Sequence, residues 1–162
     1  MKRVFVVVAM ALVGLSAFAA SSGTLTLTGT VAASTNITVT PQAGYNTLDL
    51  TTSQTNFLVA VVNEQSNDHL GYTVTVASGN LAGAGTQPFF LDAASGDTLN
   101  YTLQYNGSGV TFASGAATIT NASAKTVPAG VNKNLTISYT GSASLSASNS
   151  YTDTLTFTIA GK

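Results

Sequence analysis

The chain has 162 residues, of which only 7% are charged, and it contains no cysteine. Five lysines and arginines stand against six aspartates and glutamates, so the basic surface that nucleic acids or anionic membranes require is excluded. Because no disulfide can form, the fold must rest on packing and on β-sheet hydrogen bonds alone.

Residues 1–19 have the pattern of a secretory signal peptide. Met1-Lys2-Arg3 is a short positive segment, and Val4–Leu15 is an apolar run too short to cross a bilayer comfortably. Ala17-Phe18-Ala19 fits the small-x-small rule of signal peptidase. The sequence therefore predicts cleavage after this triplet and a mature chain, 20–162, that is a single domain without a membrane span. An uncleaved anchor or a buried amino-terminal helix is the alternative.

The mature chain opens on a regular alternation, Gly23-Thr24-Leu25-Thr26-Leu27-Thr28-Gly29-Thr30-Val31. A period of two predicts a β-strand over 24–31, with its leucines on one face. A strand at the start of a domain must pair with something. It is either the first strand of a complete domain or a strand offered to another chain.

Short runs with the same period continue to the carboxyl terminus, and no helical period follows the leader. β-branched threonines alternate with apolar residues in most of them, which suits strands with one buried and one wet face. One apolar face per strand predicts two antiparallel sheets packed face to face, as in an immunoglobulin-like β-sandwich. The predicted strands are 24–31, 35–40, 47–51, 57–62, 71–77, 87–91, 99–105, 109–113, 116–121, 134–139 and 152–159.

The predicted core lies on the apolar faces of a central strand and of the last strand. We expect six side chains to be buried together there: Tyr72, Val74, Val76, Leu155, Phe157 and Ile159. Asn106-Gly107 is the strongest hairpin signal, because both residues of a type I′ turn need positive φ. Asp92 and Asp97 flank Ser95-Gly96 and are predicted to form turns.

The chain offers little chemistry for catalysis or cofactor binding. His69 is the only histidine and there is no cysteine, so the usual zinc ligands are missing. Within the acidic stretch 63–68, Glu64 and Asp68 supply oxygens that suit calcium, although a solvated turn is the favoured interpretation. No nucleophile elbow, carboxylate pair or phosphate-binding glycine loop is present. We predict no enzymatic activity, no catalytic residue, no cofactor and no metal.

Both ends of the mature chain resemble chaperone–usher-type pilins and spore coat protein U-like domains. The alternation Gly23–Val31, running through a glycine, is similar to the start of such mature pilins. The ending Asn149–Ile159 resembles their closing pattern of Gly-x-Tyr-x-Asp-Thr-apolar-x-apolar, and Gly71–Val76 stands where they have a central strand.

The resemblance implies an immunoglobulin-like sandwich that lacks its last strand and receives it from a neighbouring subunit. Residues 20–31 would be the donor strand, with Leu25, Leu27 and Val31 filling pockets and Gly29 fitting where no side chain has room. It further implies a secreted structural subunit of a surface fibre or pilus. The implied partners are further copies of the chain, a periplasmic chaperone and an outer-membrane usher. The implied location is extracellular or at the cell surface, after transit through the periplasm.

Three features depart from the family pattern. The early strands carry no cysteine pair, the chain ends on Ile159-Ala160-Gly161-Lys162 instead of an aromatic or apolar residue, and only Ala20-Ser21-Ser22 precedes Gly23. The alternative is therefore a self-contained secreted or surface-associated β-sandwich with an adhesive or binding role, in which 24–31 is the first strand.

Overall fold

The computed structural model describes residues 21–82, 85–126, 128–148 and 150–162. The predicted signal peptide and its cleavage site lie outside these ranges. The chain divides after Val31 into two compact units, 1–31 and 32–162. Residues 32–162 are called the sheet domain below.

The amino-terminal segment, residues 21–31, contains no strand. The strand predicted over 24–31 is therefore wrong for the chain by itself, and so is its interpretation as the first strand of the domain. Leu25, Leu27 and Val31 are 83%, 86% and 89% exposed. Alternation gives a segment the ability to be a strand, but a strand forms only where a second backbone satisfies its N–H and C=O groups.

Eleven strands are present in the described part of the sheet domain, all paired antiparallel. No helix is found among the described residues, and hence none long and apolar enough to cross a membrane. The strands are β1 (Thr35–Pro41), β2 (Gln54–Ser66), β3 (Tyr72–Ser78), β4 (Leu81–Ala82), β5 (Gln87–Leu91), β6 (Thr98–Asn100), β7 (Thr102–Tyr105), β8 (Ser108–Gly109), β9 (Ala116–Ala122), β10 (Val131–Tyr139) and β11 (Leu155–Gly161).

The strands form three sheets. The largest has the order β1-β2-β10-β7-β8, the second has the order β11-β3-β9, and a small sheet has the order β4-β5-β6. One core joins them, since buried Ala60, Val62 and Leu135 of the largest sheet cluster with Val76 and Ala117 of the second. The protein is all-β with antiparallel sheets, as predicted, and this arrangement is consistent with a β-sandwich.

Several predicted boundaries need correction. Residues 47–51 form turns instead of a strand, because the Asp49 carboxylate accepts hydrogen bonds from Thr51 N, Thr51 Oγ1 and Thr52 Oγ1 at 2.9, 2.6 and 2.9 Å. The prediction 99–105 is divided into β6 and β7, and 109–113 is reduced to β8. The Asn106-Gly107 hairpin is confirmed, with φ of 50° and 82°.

The six predicted core side chains all face inward, but only three of them are buried. Tyr72, Val74 and Val76 are buried, and the alternation along β11 has the predicted phase. Yet Leu155, Phe157 and Ile159 are only half-buried, although they lie on the inner face beside β3. The reason is that β11 is the outermost strand of its sheet, so nothing in the sheet covers its far side.

Candidate functional site

Two of the edge strands, β1 and β11, leave their outer backbone groups open beside one groove, while β9, at the other edge of the second sheet, also pairs with β3 alone among the described residues. Among the described residues, β1 pairs with β2 alone and β11 pairs with β3 alone. Natural proteins usually guard such edges with charged side chains, prolines or bulges, because an open edge recruits other strands. Neither strand carries a charge, and the only proline is Pro41 at the end of β1. Both edges are thus open to an added strand.

An apolar groove lies between the carboxyl-terminal half of β1 and the amino-terminal half of β11, and the two strands also contact each other directly. Val39 and Pro41 line one side, Leu155 and Phe157 line the other, and core residues such as Ile137 form the floor. Its volume is about 320 Å³. A cavity of roughly 150 Å³ takes up a benzene molecule, so this groove has room for more than one large side chain.

The walls of the groove are an unfinished part of the core. Val39 is 41% exposed on β1, while the inward side chains of the neighbouring β2, such as Val62, are fully buried. β11 has the same relation to β3, with Phe157 half-buried beside the fully buried Val76. Apolar area therefore remains in water along both edges, and a strand placed between them would cover it.

One end of the groove is polar and is held by hydrogen bonds. The Asp153 carboxylate accepts hydrogen bonds from Ser78 Oγ at 2.6 Å, Tyr101 Oη at 2.5 Å and Asn80 N at 3.0 Å. Burial, together with the adjoining carboxylate, raises the pKa of the Tyr101 hydroxyl, which keeps this donor protonated. The apolar surface of the groove therefore has a fixed polar limit where β11 begins.

The predicted interface residues, Leu25, Leu27, Gly29 and Val31, all lie in the amino-terminal segment. Their side chains alternate along seven residues, and a Cβ added at Gly29 would meet no atom within 4 Å. β1 and β11 are also seven residues long, and seven extended residues span roughly 20 Å. The segment thus matches the length of both open edges. The structure places these residues against no partner, so their interface role stays a prediction.

Asn67 holds the residues through which that segment is joined to the sheet domain. Its Oδ1 accepts a hydrogen bond from Ser34 N at 2.7 Å, and its Nδ2 donates to Ala32 O at 2.8 Å. Its backbone N donates to Ser34 O at 3.1 Å. These three bonds continue the β1–β2 pairing beyond Thr35, and two of them are made by the Asn67 side chain instead of by strand backbone. We call this arrangement the Asn67 clamp.

A buried polar cluster, which sequence analysis missed, joins the two larger sheets. Glu64 is fully buried, and its carboxylate accepts hydrogen bonds from Tyr72 Oη at 2.9 Å, Tyr105 Oη at 2.6 Å and Thr120 Oγ1 at 2.7 Å. Lys133 Nζ lies 3.2 Å from the same carboxylate. Tyr72 and Thr120 belong to one sheet, and the other members belong to the other. The alternation Ala60, Val62, Glu64 was the available signal.

The calcium hypothesis for Glu64 and Asp68 finds no support in this geometry. The solvated turn favoured for 63–68 is also wrong over 63–66, which belong to β2. The Glu64 oxygens are already satisfied, and the Asp68 carboxylate accepts a hydrogen bond from Leu70 N at 2.9 Å beside the exposed His69. No group of three or more metal-binding side chains occurs in the described ranges.

Comparison of the chain with protein-family models, with curated proteins and with solved structures found no match in any of the three. The groove, the two open edges and the amino-terminal segment are therefore the features that bear on function. Of these, the segment is recognisable in the sequence, but the groove is visible only in three dimensions.

Proposed function

We propose that this chain is a secreted structural subunit of a surface fibre or pilus that assembles by β-strand donation. In this proposal the sheet domain is an immunoglobulin-like sandwich that lacks one strand, and residues 25–31 of a second copy supply it. One observation carries the proposal: the same chain contains an apolar groove between two open edge strands and an unpaired alternating segment as long as those strands.

The physics of such an insertion is favourable on two counts. The added backbone would donate to and accept from the open groups of β1 and β11, as in other cases of β-augmentation. The two strands contact each other over part of their length, so they would have to move apart there to admit it. Its apolar side chains would also cover the half-exposed groove walls. Complete burial of a leucine contributes about 1.5–3 kcal/mol, so Leu25 and Leu27 together supply a useful share of the association energy.

The structure accommodates two departures from the pilin pattern, the short chain before Gly23 and the missing cysteine pair. The chain preceding the predicted strand is short, but the first strand of the sheet domain begins only at Thr35. Residues 20–34 are therefore available as donor and connection. The two larger sheets are also joined without a cysteine pair, because the Glu64 cluster connects them by hydrogen bonds.

The proposal includes the partners that an open groove requires before assembly. A free apolar groove between open edges is an aggregation hazard during export. A periplasmic chaperone that covers the groove and an outer-membrane usher that delivers the subunit would remove that hazard. We place the assembled fibre outside the cell or on its surface.

The experiment compares two variants that add the same charge one residue apart. Leu27→Asp puts a carboxylate on the face that enters the groove, and burying it without a partner is costly. Thr26→Asp puts the same charge on the face turned to water. We expect Leu27→Asp to abolish association in size-exclusion chromatography, and Thr26→Asp to assemble like the parent chain.

Thermal unfolding supplies the check on folding. Both residues lie outside the sheet domain, so both variants should melt at the same temperature as the unassembled parent chain. Equal assembly of the two variants, or a parent chain that is strictly monomeric at every concentration, contradicts strand donation. That result would favour the alternative, a self-contained sandwich with a binding role.

A further inference from the structure

An open groove has two possible occupants carried by the same sequence. One is residues 25–31 of a second copy, and the other is residues 25–31 of the chain itself. The three residues 32–34 are enough for a hairpin connection, which would set Val31 beside Thr35 and Leu25 beside Pro41. Because this route is intramolecular, it competes strongly with any second copy.

We infer that the Asn67 clamp directs the segment into a second copy by preventing this hairpin, an inference that rests on the proposed function. A hairpin requires the backbone to reverse direction within 32–34. In an extended strand, the N–H and C=O groups of every second residue face the same side. Asn67 binds Ser34 N and Ala32 O together, which fits an extended path and not a reversal.

The clamp therefore acts differently on the two routes. Filling the chain's own groove requires the side-chain bonds of Asn67 to Ser34 and Ala32 to break. Filling the groove of a second copy leaves them in place. Asn67 is thus a positioning residue for assembly, and its exposed side chain contributes little to the core.

Disulfide trapping in this cysteine-free chain distinguishes the two routes. Thr28 and Thr38 are the midpoints of 25–31 and of β1, so they lie close in either direction of insertion. Both alternate with the inward residues and are exposed, so cysteines there leave the groove lining unchanged. The full-length chain carrying Thr28→Cys and Thr38→Cys is exported, oxidised and analysed on a non-reducing gel. Internal cross-links give compact monomers, and cross-links between copies give ladders.

We expect ladders when Asn67 is present. Asn67→Ala removes both side-chain hydrogen bonds and should raise the ratio of compact monomer to ladder on the order of tenfold. Asn63→Ala is the matched control. It also removes two hydrogen bonds of an asparagine on the same stretch of chain, to Ala129 O at 3.2 Å and Asn132 Oδ1 at 2.7 Å, but touches nothing within 32–34. This control should behave like the parent.

The remaining outcomes separate this inference from the proposed function. An unchanged ratio in Asn67→Ala overturns the role of the clamp, and ladders in every variant leave strand donation intact. Compact monomers alone in every variant also overturn the role of the clamp, because the clamp then fails to exclude the hairpin. No cross-link of either kind means that the segment fills no groove, and both the proposed function and the inference fall.

Discussion

At the scale of single residues, buried tyrosines donate hydrogen bonds to carboxylates inside the domain. Tyr72 and Tyr105 both donate to Glu64, while Tyr101 donates to Asp153. Desolvation first, and the neighbouring carboxylate second, raise the pKa of each of these hydroxyls, that of Tyr72 to about 12. The three side chains must therefore stay neutral for the native contacts to persist.

This arrangement predicts loss of stability at alkaline pH. An unfolded tyrosine has a pKa near 10, and a raised pKa in the folded state means that the native contacts favour the neutral form. Their contribution is complete below about pH 10 and is lost as the pH rises from there through the folded pKa values. Thermal unfolding followed from neutral pH to about pH 12 should show a falling melting temperature above about pH 10.

Tyr72→Phe is the informative comparison for that experiment. It removes one hydrogen bond to Glu64 and should be less stable at neutral pH, by about 1 kcal/mol. Because it also removes one titrating group, its melting temperature should fall less steeply above about pH 10 than that of the parent chain. Parallel curves for the two proteins would show that Tyr72 has no part in the alkaline transition.

At the scale of elements, the groove is a consequence of where β1 and β11 stand. The inward residues of each strand are apolar, but no neighbouring strand covers them completely. Phe157 is half-buried for this reason, while Val76 on the neighbouring strand is fully buried. The edge strands therefore contribute less to the stability of the isolated domain than their composition suggests.

Phe157→Ala and Thr156→Ala measure this contribution. Truncation of a fully buried phenylalanine costs about 3–5 kcal/mol, so the half-buried Phe157 should cost roughly half of that, about 2 kcal/mol, in the unassembled chain. Thr156 faces water, and its replacement should be nearly neutral. Denaturant unfolding of both variants provides the values. Equal midpoints would contradict the assigned faces of β11.

Sequence periodicity predicted the elements better than it predicted their partners. It placed β3, β9 and β11, and it gave the phase of the faces of β3 and β11, because period two depends on the strand itself. It left open whether 24–31 pairs within the domain, and it did not show which strands have open edges, because both depend on residues far away in the sequence. It also took Asn63–Ser66 for a turn, since polar residues inside β2 resemble a loop until their buried partners are known.

At the scale of the whole sheet domain, charge is separated between the two ends of the strands. The loop 67–71 joins the end of β2 to the start of β3, and the root of the amino-terminal segment lies at this end, held by Asn67. Lys125 and Lys162 lie at the same end, next to Thr126 and Gly71 respectively, and Asp68 of this loop is the one acidic side chain among them. Four of the six carboxylates belong to the opposite end: Asp49, Asp92, Asp97 and Asp153.

This separation bears on the direction in which a donated strand would enter. A strand running antiparallel to β11 leaves the groove at the carboxylate end, where its Val31 continues into the lysine end of the donor. A strand running parallel to β11 would instead bring two lysine ends together. Since opposite charges steer and orient association, the charge distribution favours the antiparallel direction and a head-to-tail fibre.

Two substitutions that change the net charge equally test this arrangement. Lys125→Gln removes a positive charge from the end that would meet the carboxylates, and Thr118→Glu adds a negative charge in the middle of β9, away from both ends. Each lowers the net charge by one, so both raise the general repulsion between copies alike. Only the lysine variant loses the local attraction, and it should assemble several-fold more slowly than Thr118→Glu at low ionic strength. The difference should shrink as salt shortens the Debye length to about 3 Å at 1 M. Light scattering during assembly measures both rates, and equal rates at low salt would mean that these ends do not meet in the fibre.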